Sequence, residues 1–408
     1  MEFALQLLLF LSMLLLAIVL FPFSRRLKLP DGLVLVVSGF VGSELITSFG
    51  LDIGLRWHHF HELVFYIFIP LLVFNSALHL NFSQLRKQLI AMLILAIPMM
   101  LLATLVSASV LFFGVGYPNY YSWLAALLTG VLLSSTDPSI IIDIFRRAGV
   151  SERILLLLEG ESLFNDSLSV LLFGLLSAML LMVDNGQTVA GFGVDFLIVL
   201  VGGVLCGIAS LLSLYVLFKH LNDTFSHLLL MLLACYLSYL VADVVLEVSG
   251  VMAVLVVGSG FAYWVRKYLQ TEERNKLLLY WTFQGQLAHS VMFLLLGVTI
   301  TVTMFTQQWL AMLLGIGAVI VARIAGLLLT LPVINLLPEG KLNRGEPMIM
   351  YLGGTRGAVT IALALSIPVE LDAWFTIQSI AYAVVLFGLV VQAVSAPFLI
   401  KHLISGDR

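Results

Sequence analysis

Apolar stretches about as long as a membrane-spanning helix recur along the whole chain and leave room for few architectures. A helix needs about 20 consecutive apolar residues to cross the hydrocarbon core of a bilayer. Of the 408 residues, 61% are hydrophobic and 11% are charged, whereas about 25% of the residues in a soluble domain are charged. The chain is therefore predicted to be an all-α polytopic membrane protein in a lipid bilayer. Thirteen helical windows can be drawn, at residues 3–22, 31–49, 62–80, 88–114, 122–145, 153–182, 195–218, 227–247, 249–264, 278–303, 309–331, 347–368 and 374–400.

Basic residues are distributed unevenly between the loops that connect these windows. Of the 20 lysines and arginines, all but Arg56, Arg323 and Arg356 lie in odd-numbered loops or in the tail at 401–408. Cytoplasmic loops carry an excess of lysine and arginine, so the odd-numbered loops are predicted to be cytoplasmic. With thirteen spans, the N-terminus is expected outside and the C-terminus in the cytoplasm, as in a protein of a prokaryotic inner or plasma membrane.

Carboxylates interrupt the fifth and sixth windows. Asp137 is followed by Pro138, and Glu161 and Asp166 lie in the next apolar run. A charged side chain inside a membrane is costly and marks a functional site by default. Groups three to five residues apart share roughly one helix face. The oxygens of Glu161, Ser162 and Asp166 are therefore expected to point one way, toward whatever Asp137 faces.

Asp137 and Asp166 are the candidate groups for binding an ion and a proton. A hard monovalent cation can replace the proton of carboxylates that meet in a cleft, and competition of cation and proton for one site is sufficient for antiport. Thr136 and Ser162 are candidate neutral oxygen ligands, with packing as the alternative for both. The alternative for Asp137 is the N-cap of a helix that Pro138 breaks.

Neighbouring polar residues are assigned supporting positions. Asn165 donates and accepts hydrogen bonds without titrating, so it is expected to fix the broken helix rather than bind the ion. Glu161 requires a counter-ion if it is buried, and Arg323, isolated in the eleventh window, is the predicted partner. Arg356 is the rival partner, although it can bind backbone carbonyls instead. Glu159, on another helix face, is expected to be an internal hydrogen-bonded carboxyl.

Helix-breaking sequences occur in the fifth and twelfth windows. The first is Thr-Asp-Pro at 136–138, where proline removes a backbone donor and disfavours helix in the preceding residue; the second is Gly-Gly-Thr-Arg-Gly at 353–357. If windows 1–6 and 8–13 are repeats, an odd linker helix inverts the second half and the breaks fall at matching positions. Interrupted helices at matching positions predict the binding site of a transporter near the bilayer midplane.

Histidines and cysteines give weaker signals. The cluster of His58, His59 and His61 in the second loop is interpreted as part of a solvated loop, with pH sensing and metal binding as alternatives. His289 is interpreted as a hydrogen-bonded helix histidine. The two cysteines lie in apolar windows without zinc or disulfide spacing and are interpreted as core residues.

Several classes of function lack their sequence signatures. A nucleotide-binding loop of the Walker type is not evident, which argues against an ATP-driven pump. Neither HExxH nor a serine–histidine pair is evident, so the chain is not predicted to be an intramembrane hydrolase or another enzyme. No basic patch or RNA-binding motif predicts a nucleic-acid partner. A passive cation channel remains an alternative, which ion flux without proton coupling would identify.

Three motifs resemble those of the monovalent cation:proton antiporter superfamily. They are STDP at 135–138, EGESLFND at 159–166 and GGTRGAVTIALAL at 353–365. They are most similar to the electroneutral, NhaP-type Na⁺/H⁺ antiporters, which are related to the eukaryotic sodium/proton exchangers. The resemblance extends over the whole chain in the number and order of helices.

The resemblance implies an NhaA-like antiporter fold, in which two inverted six-helix repeats carry crossing broken helices 5 and 12. It also implies a homodimer in which each subunit has a dimerisation domain and a mobile core. The implied division is 1–87 (helices 1–3) and 227–303 (helices 8–10) for the dimerisation domain, 88–182 (helices 4–6) and 309–400 (helices 11–13) for the core, 195–218 for the linker helix 7, and 401–408 for a cytoplasmic tail.

The same resemblance implies exchange of Na⁺ or Li⁺ for H⁺ by alternating access, with no cofactor. Relatives with two aspartates in place of the Asn165–Asp166 pair are typically electrogenic, so Asn165 implies electroneutral exchange. One departure concerns Asn75, because relatives often carry a carboxylate there, in a stretch like FEGGL. Its loss leaves K⁺/H⁺ exchange as an alternative. The implied ion ligands are Thr136, Asp137, Ser162 and Asp166, and the implied structural ion pair is Glu161 with Arg323.

Overall fold

The computed structural model describes residues 2–27, 29–48, 62–80, 82–116, 121–184, 192–221, 223–337, 342–343 and 345–405. Within these ranges the regular structure is entirely helical, which confirms the predicted all-α class. The predicted loop cluster of His58, His59 and His61 lies outside the described residues.

A helix or a pair of half-helices is present at each of the thirteen predicted windows. A short helix, Val302–Gln307, lies between the tenth and eleventh. The helices are α1 Glu2–Leu27, α2 Asp31–Ser48, α3 Ile69–His79 with the preceding π-helical turn Val64–Phe68, α4 Phe82–Gly114, α5a Trp123–Ser134, α5b Ser139–Arg147, α6 Glu152–Asp184, α7 Phe192–His220, α8 Thr224–Leu240 with the π-helical turn Val241–Val245, α9 Gly250–Tyr268, α10 Thr271–Thr299, α11 Trp309–Asn335, α12a Glu346–Leu352, α12b Ala358–Leu365, and α13 Trp374–Phe387, which continues through Gly388–Gln392 into Ala393–Ser405.

The surface of these helices suits a bilayer. Large apolar side chains such as Leu205, Leu212 and Val216 of α7 are exposed. Soluble monomers rarely expose apolar patches of this size, whereas a membrane protein covers them with lipid. In the described ranges, eight helices are long and apolar enough to cross a membrane. The number of thirteen spans therefore stays a prediction.

Two helices begin six or seven residues earlier than predicted. α4 begins at Phe82 rather than 88, and α10 begins at Thr271 rather than 278. The first turns of α10 are polar, and Lys276 donates to Glu272 one turn earlier at 2.7 Å, a pairing that supports a helix without apolar residues. Windows drawn on apolar residues miss such turns.

The helices pack in two groups. In the first, α4 contacts α5a, α6 and α11, and α11 contacts α13. In the second, α2 contacts α1 and α10, and α9 contacts α3, α7 and α8. The groups meet where α10 contacts α12b and where α3 contacts α6. The predicted site residues of α5, α6 and α12 therefore lie beside the boundary between the groups.

Candidate functional site

The breaks in the fifth and twelfth helices lie against each other. The backbone N–H of Asp137 donates to the carbonyl of Thr355 at 2.7 Å, and the Thr355 hydroxyl donates to the carbonyl of Asp137. A break frees backbone donors and acceptors that must find partners when buried. Each break supplies partners for the other, so the position of Asp137 is fixed although it lies outside regular helix.

The carboxylate of Asp137 lies at the N-termini of two half-helices. Its Oδ1 accepts from the N–H of Ser139 at 3.0 Å, in the first turn of α5b. Its Oδ2 accepts from the N–H of Ala358 at 3.3 Å, in the first turn of α12b. Helix N-termini favour negative charge, so both half-helices stabilise the carboxylate. Gly357 is required here, because a Cβ at that position would overlap the carboxylate.

Arg356 compensates the opposite helix ends. Its Nε donates to the carbonyl of Leu133 at 2.9 Å, at the end of α5a, and its Nη1 donates to the carbonyl of Gly354. Carbonyls at helix C-termini lack intrahelical partners and favour a cation. The described contacts thus favour the carbonyl-binding interpretation of Arg356 over a pairing with Glu161.

Arg323 of α11 pairs with Glu161 of α6, as the sequence predicted. Its Nη1 donates to Oε1, and its Nη2 donates to Oε2 at 3.3 Å and to the carbonyl of Met350 at 2.6 Å. The two side chains are 3% and 1% exposed, so each charge is compensated by its partner rather than by water. The pair ties α6, α11 and α12a together.

Hydrogen bonds between α6 and the broken segment of the fifth helix hold that segment in place. Ser162 Oγ donates to the carbonyl of Thr136 at 2.6 Å. Asn165 Nδ2 donates to Thr136 Oγ1 at 3.3 Å. Ser135 Oγ donates to Asp166 Oδ1 at 2.5 Å. The position of Asn165 is the one expected of a residue that fixes the break, although its part in transport stays a prediction.

A cavity of about 200 Å³ brings Asp137, Ser162 and Asp166 together, and Asn75 of α3 also lines it. Thr136 is not among the described residues that line this cavity. Its side chain instead faces a void of about 10 Å³ that Asn165, Arg323 and Arg356 also line. Three of the four predicted ligands therefore share one cavity, and Thr136 lies behind it.

Sequence reasoning did not place His289 or Glu159 in this cavity. His289 of α10 lines it and places Nδ1 at 3.8 Å from Asp137 Oδ2. Glu159 lines it too, and its Oε1 lies 3.5 Å from Nη2 of Arg146. The signal for His289 was present, because a polar side chain in the apolar half of a membrane helix is a functional candidate.

Comparison with known proteins gives a family match over nearly the whole chain. A family model described as "Sodium/hydrogen exchanger, transmembrane" matches residues 11–402. The Na⁺/H⁺ antiporter ApNhaP of Aphanothece halophytica is 32% identical over 85% of this chain and 66% of its own length, so this chain spans about two thirds of that relative. The low-affinity Na⁺/H⁺ antiporter NhaS1 of Synechocystis is 31% identical over 93% of this chain and 71% of its own.

Other similar proteins are matched over nearly their full length. The Na⁺/H⁺ antiporter NhaH of Halobacillus aidingensis is 29% identical over 96% of both chains. Among solved structures, the sodium proton antiporter MjNhaP1 of Methanocaldococcus jannaschii superimposes with a TM-score of 0.81, covers 99% of both chains and is 20% identical. At that identity the likeness shows the fold alone, which is that of an all-helical antiporter, as predicted; the inverted repeats stay a prediction.

Proposed function

The chain belongs to the sodium/hydrogen exchanger family, and we propose that it is a secondary active antiporter that exchanges Na⁺ or Li⁺ for H⁺. The observation that carries the proposal is the cavity at the crossing of the two broken helices, which Asp137, Ser162 and Asp166 line together. The names of the relatives favour Na⁺ over the K⁺/H⁺ alternative.

The described hydrogen bonds support an assignment of the oxygens that would bind the ion. Ser135 donates to Asp166 Oδ1, so we assign Oδ2 to the cation or the proton. Ser162 donates its only hydrogen to the Thr136 carbonyl, which leaves its lone pairs directed elsewhere and able to bind a cation. Asp137 supplies a second carboxylate. A cation and a proton then compete for the same oxygens, and this competition couples their movement in opposite directions.

Two groups of helices suit alternating access. The contacts of Arg323, Arg356 and Asn165 join α5, α6, α11 and α12 into one unit, whereas α3 and α10 face that unit across the cavity. We assign α4–α6 and α11–α13 to a moving core, α1–α3 and α8–α10 to a dimerisation domain of a homodimer, and α7 to the linker. Ser76, His79 and Ser139 are exposed and line the cavity, so it reaches the surface near the loops predicted to be cytoplasmic.

The neutral side chain of Asn165 favours one-for-one exchange. It bonds to Thr136 beside the buried Glu161–Arg323 pair, so it adds no titratable group to the pair of cavity aspartates. If the core carries either one Na⁺ or one H⁺, each cycle moves no net charge.

Proton flux in proteoliposomes tests the proposed function. Purified protein is reconstituted with a pH-sensitive dye, and Na⁺, Li⁺ and K⁺ are added separately. We expect Na⁺ and Li⁺ to drive proton movement and K⁺ to drive little. Proton movement with K⁺ alone would establish the alternative substrate. Cation flux without proton movement would establish a channel and contradict antiport.

A further inference from the structure

A hydrogen bond between two hydroxyls joins the two groups of helices. The hydroxyl of Tyr382 on α13 lies 2.8 Å from Oγ1 of Thr299, at the end of α10. Thr299 directs its hydrogen to carbonyls of its own helix, 2.8 Å from Leu295 and 3.1 Å from Leu296. Because a hydroxyl has only one hydrogen to donate, Thr299 accepts and Tyr382 donates across the boundary between the groups.

The position of Thr299 along α10 places this bond beyond the ion site. Thr282 of α10 binds His79, an exposed residue that lines the cavity where it reaches the surface. Two turns further along α10, His289 lines the cavity beside Asp137. Thr299 follows after another 15 Å or so of helix, at about 1.5 Å per residue. The bond therefore lies on the side of the site away from the opening, toward the loops predicted to be external.

Packed apolar residues close that side of the protein. All residues of α12b, from Ala358 to Leu365, are buried. Residues 292–297 of α10, between the site and Thr299, are buried too. α13 packs on α12b, and Tyr382 is 1% exposed. The hydroxyl of Tyr382 thus lies where the two groups of helices close over the site.

We propose that Tyr382 is a positioning residue that keeps the core closed on this side and so biases the carrier toward the opposite face. This inference rests on the proposed function. Opening to the predicted external face must part α13 from α10, which takes from the Tyr382 hydroxyl the acceptor that Thr299 supplies. A buried donor that loses its partner is costly. The cost falls on one orientation of the core whichever ion is bound, so the bond sets the ratio of the two orientations.

A bias between orientations changes the apparent affinity for Na⁺ at one face only. When a minor fraction of the carriers is open to a face, the apparent KM there is raised by the inverse of that fraction. Loss of one hydrogen bond should increase the fraction open to the external face about fivefold, and the external KM should fall by the same factor. The KM at the other face should change little, because that orientation is already the common one.

A matched pair of hydroxyls lies within the part of the chain that we assign to the core. Tyr121 hydrogen-bonds Thr129 of α5a, and Thr129 directs its own hydrogen to the carbonyl of Ala125 at 2.7 Å. Both side chains are buried. Tyr121→Phe therefore removes the same atom from the same kind of contact as Tyr382→Phe, without touching the boundary between the groups.

The experiment measures Na⁺-driven proton movement against Na⁺ concentration in right-side-out and in everted membrane vesicles, from cells without other Na⁺/H⁺ exchange. We expect the external KM of the full chain to fall about fivefold in Tyr382→Phe and in Thr299→Val. It should keep the wild-type value in Thr299→Ser, which retains the acceptor, and in Tyr121→Phe. The KM in everted vesicles should be alike in all of these proteins. The double variant Tyr382→Phe/Thr299→Val should show no larger fall than either single variant.

An equal change of KM at both faces in Tyr382→Phe would overturn the inference, and so would an unchanged external KM or a fall in Tyr121→Phe of the same size. If Tyr382→Phe fails to fold, Thr299→Val and Thr299→Ser decide, and equal external KM values in these two overturn the inference. The proposed function stands in each of these cases when wild type exchanges Na⁺ for H⁺. Absence of exchange in wild type contradicts the proposed function itself.

Discussion

Glu161 and Asp166 lie on the same helix, yet their charges are compensated in opposite ways. Glu161 is 1% exposed, and both of its carboxylate oxygens bind the guanidinium of Arg323. Asp166 accepts a hydrogen bond from the neutral hydroxyl of Ser135 and opens on a cavity. A carboxylate with a fixed cationic partner cannot exchange that partner. A carboxylate beside a cavity can bind a cation or a proton from solution.

We infer that the partner of a buried carboxylate, rather than the carboxylate itself, decides whether the group stabilises the fold or binds an exchangeable ion. Asp137 follows the same rule, because backbone N–H groups of two half-helices stabilise it without neutralising it. Substitutions at the two regions should therefore have separable effects on transport and on the free energy of unfolding.

We expect Asp166→Asn to reduce transport more than any other substitution considered. The substitution keeps the shape of the side chain and removes the group that binds a proton, so exchange should fall to the level of empty liposomes. Thermal unfolding should change little, because no fixed charge partner is lost. The measurement is Na⁺-driven proton flux together with a melting curve. Strong flux in the folded variant would show that Asp166 is not the carrier.

The next effect is on stability, at the other region. Glu161→Gln and Arg323→Gln should each lower the free energy of unfolding by about 3–5 kcal/mol, because each leaves one buried charge unpaired. The double variant should lose less than the sum of the two single losses. Melting in detergent gives the comparison. If Arg323→Gln melts like wild type and Arg356→Gln melts at a lower temperature, then Arg356 rather than Arg323 is the arginine that stabilises Glu161.

A smaller effect should separate Ser162 from Thr136. Ser162 lines the cavity, and loss of one neutral ligand in Ser162→Ala should raise the apparent KM for Na⁺ about threefold to tenfold. Thr136 lies behind the cavity, so Thr136→Val should lower the melting temperature with little change in KM. The two KM values are measured in the same proteoliposome assay. An equal rise in both would mean that Thr136 also contacts the ion.

The helices and the breaks could be predicted from sequence because their causes are local. A long apolar stretch favours a helix, and the proline after Asp137 and the glycines around Arg356 break one, whatever the tertiary contacts are. The pairing of Glu161 with Arg323 was also predictable, since each is a charge in an apolar helix and needs a partner. The polar start of α10 was missed because it has no apolar signature.

The direction of side chains around the breaks could not be predicted. Tertiary bonds such as that from the N–H of Asp137 to Thr355 set the orientation of the non-helical segment, so sequence spacing did not show that Thr136 faces away from the cavity. The position of His289 opposite Asp137 depends on how α10 packs, and spacing along one helix carries no such information.

The dependence of exchange on pH at different Na⁺ concentrations shows whether Na⁺ and H⁺ share one binding site. If Na⁺ and H⁺ compete for the same cavity carboxylates, the rate is bell-shaped in pH, because protons displace the cation at low pH and no proton returns at high pH. A tenfold rise in Na⁺ should then shift the acidic limb about one pH unit lower, since one cation competes with one proton. An acidic limb that stays fixed as Na⁺ rises would contradict a shared site and would place the response to pH elsewhere in the protein.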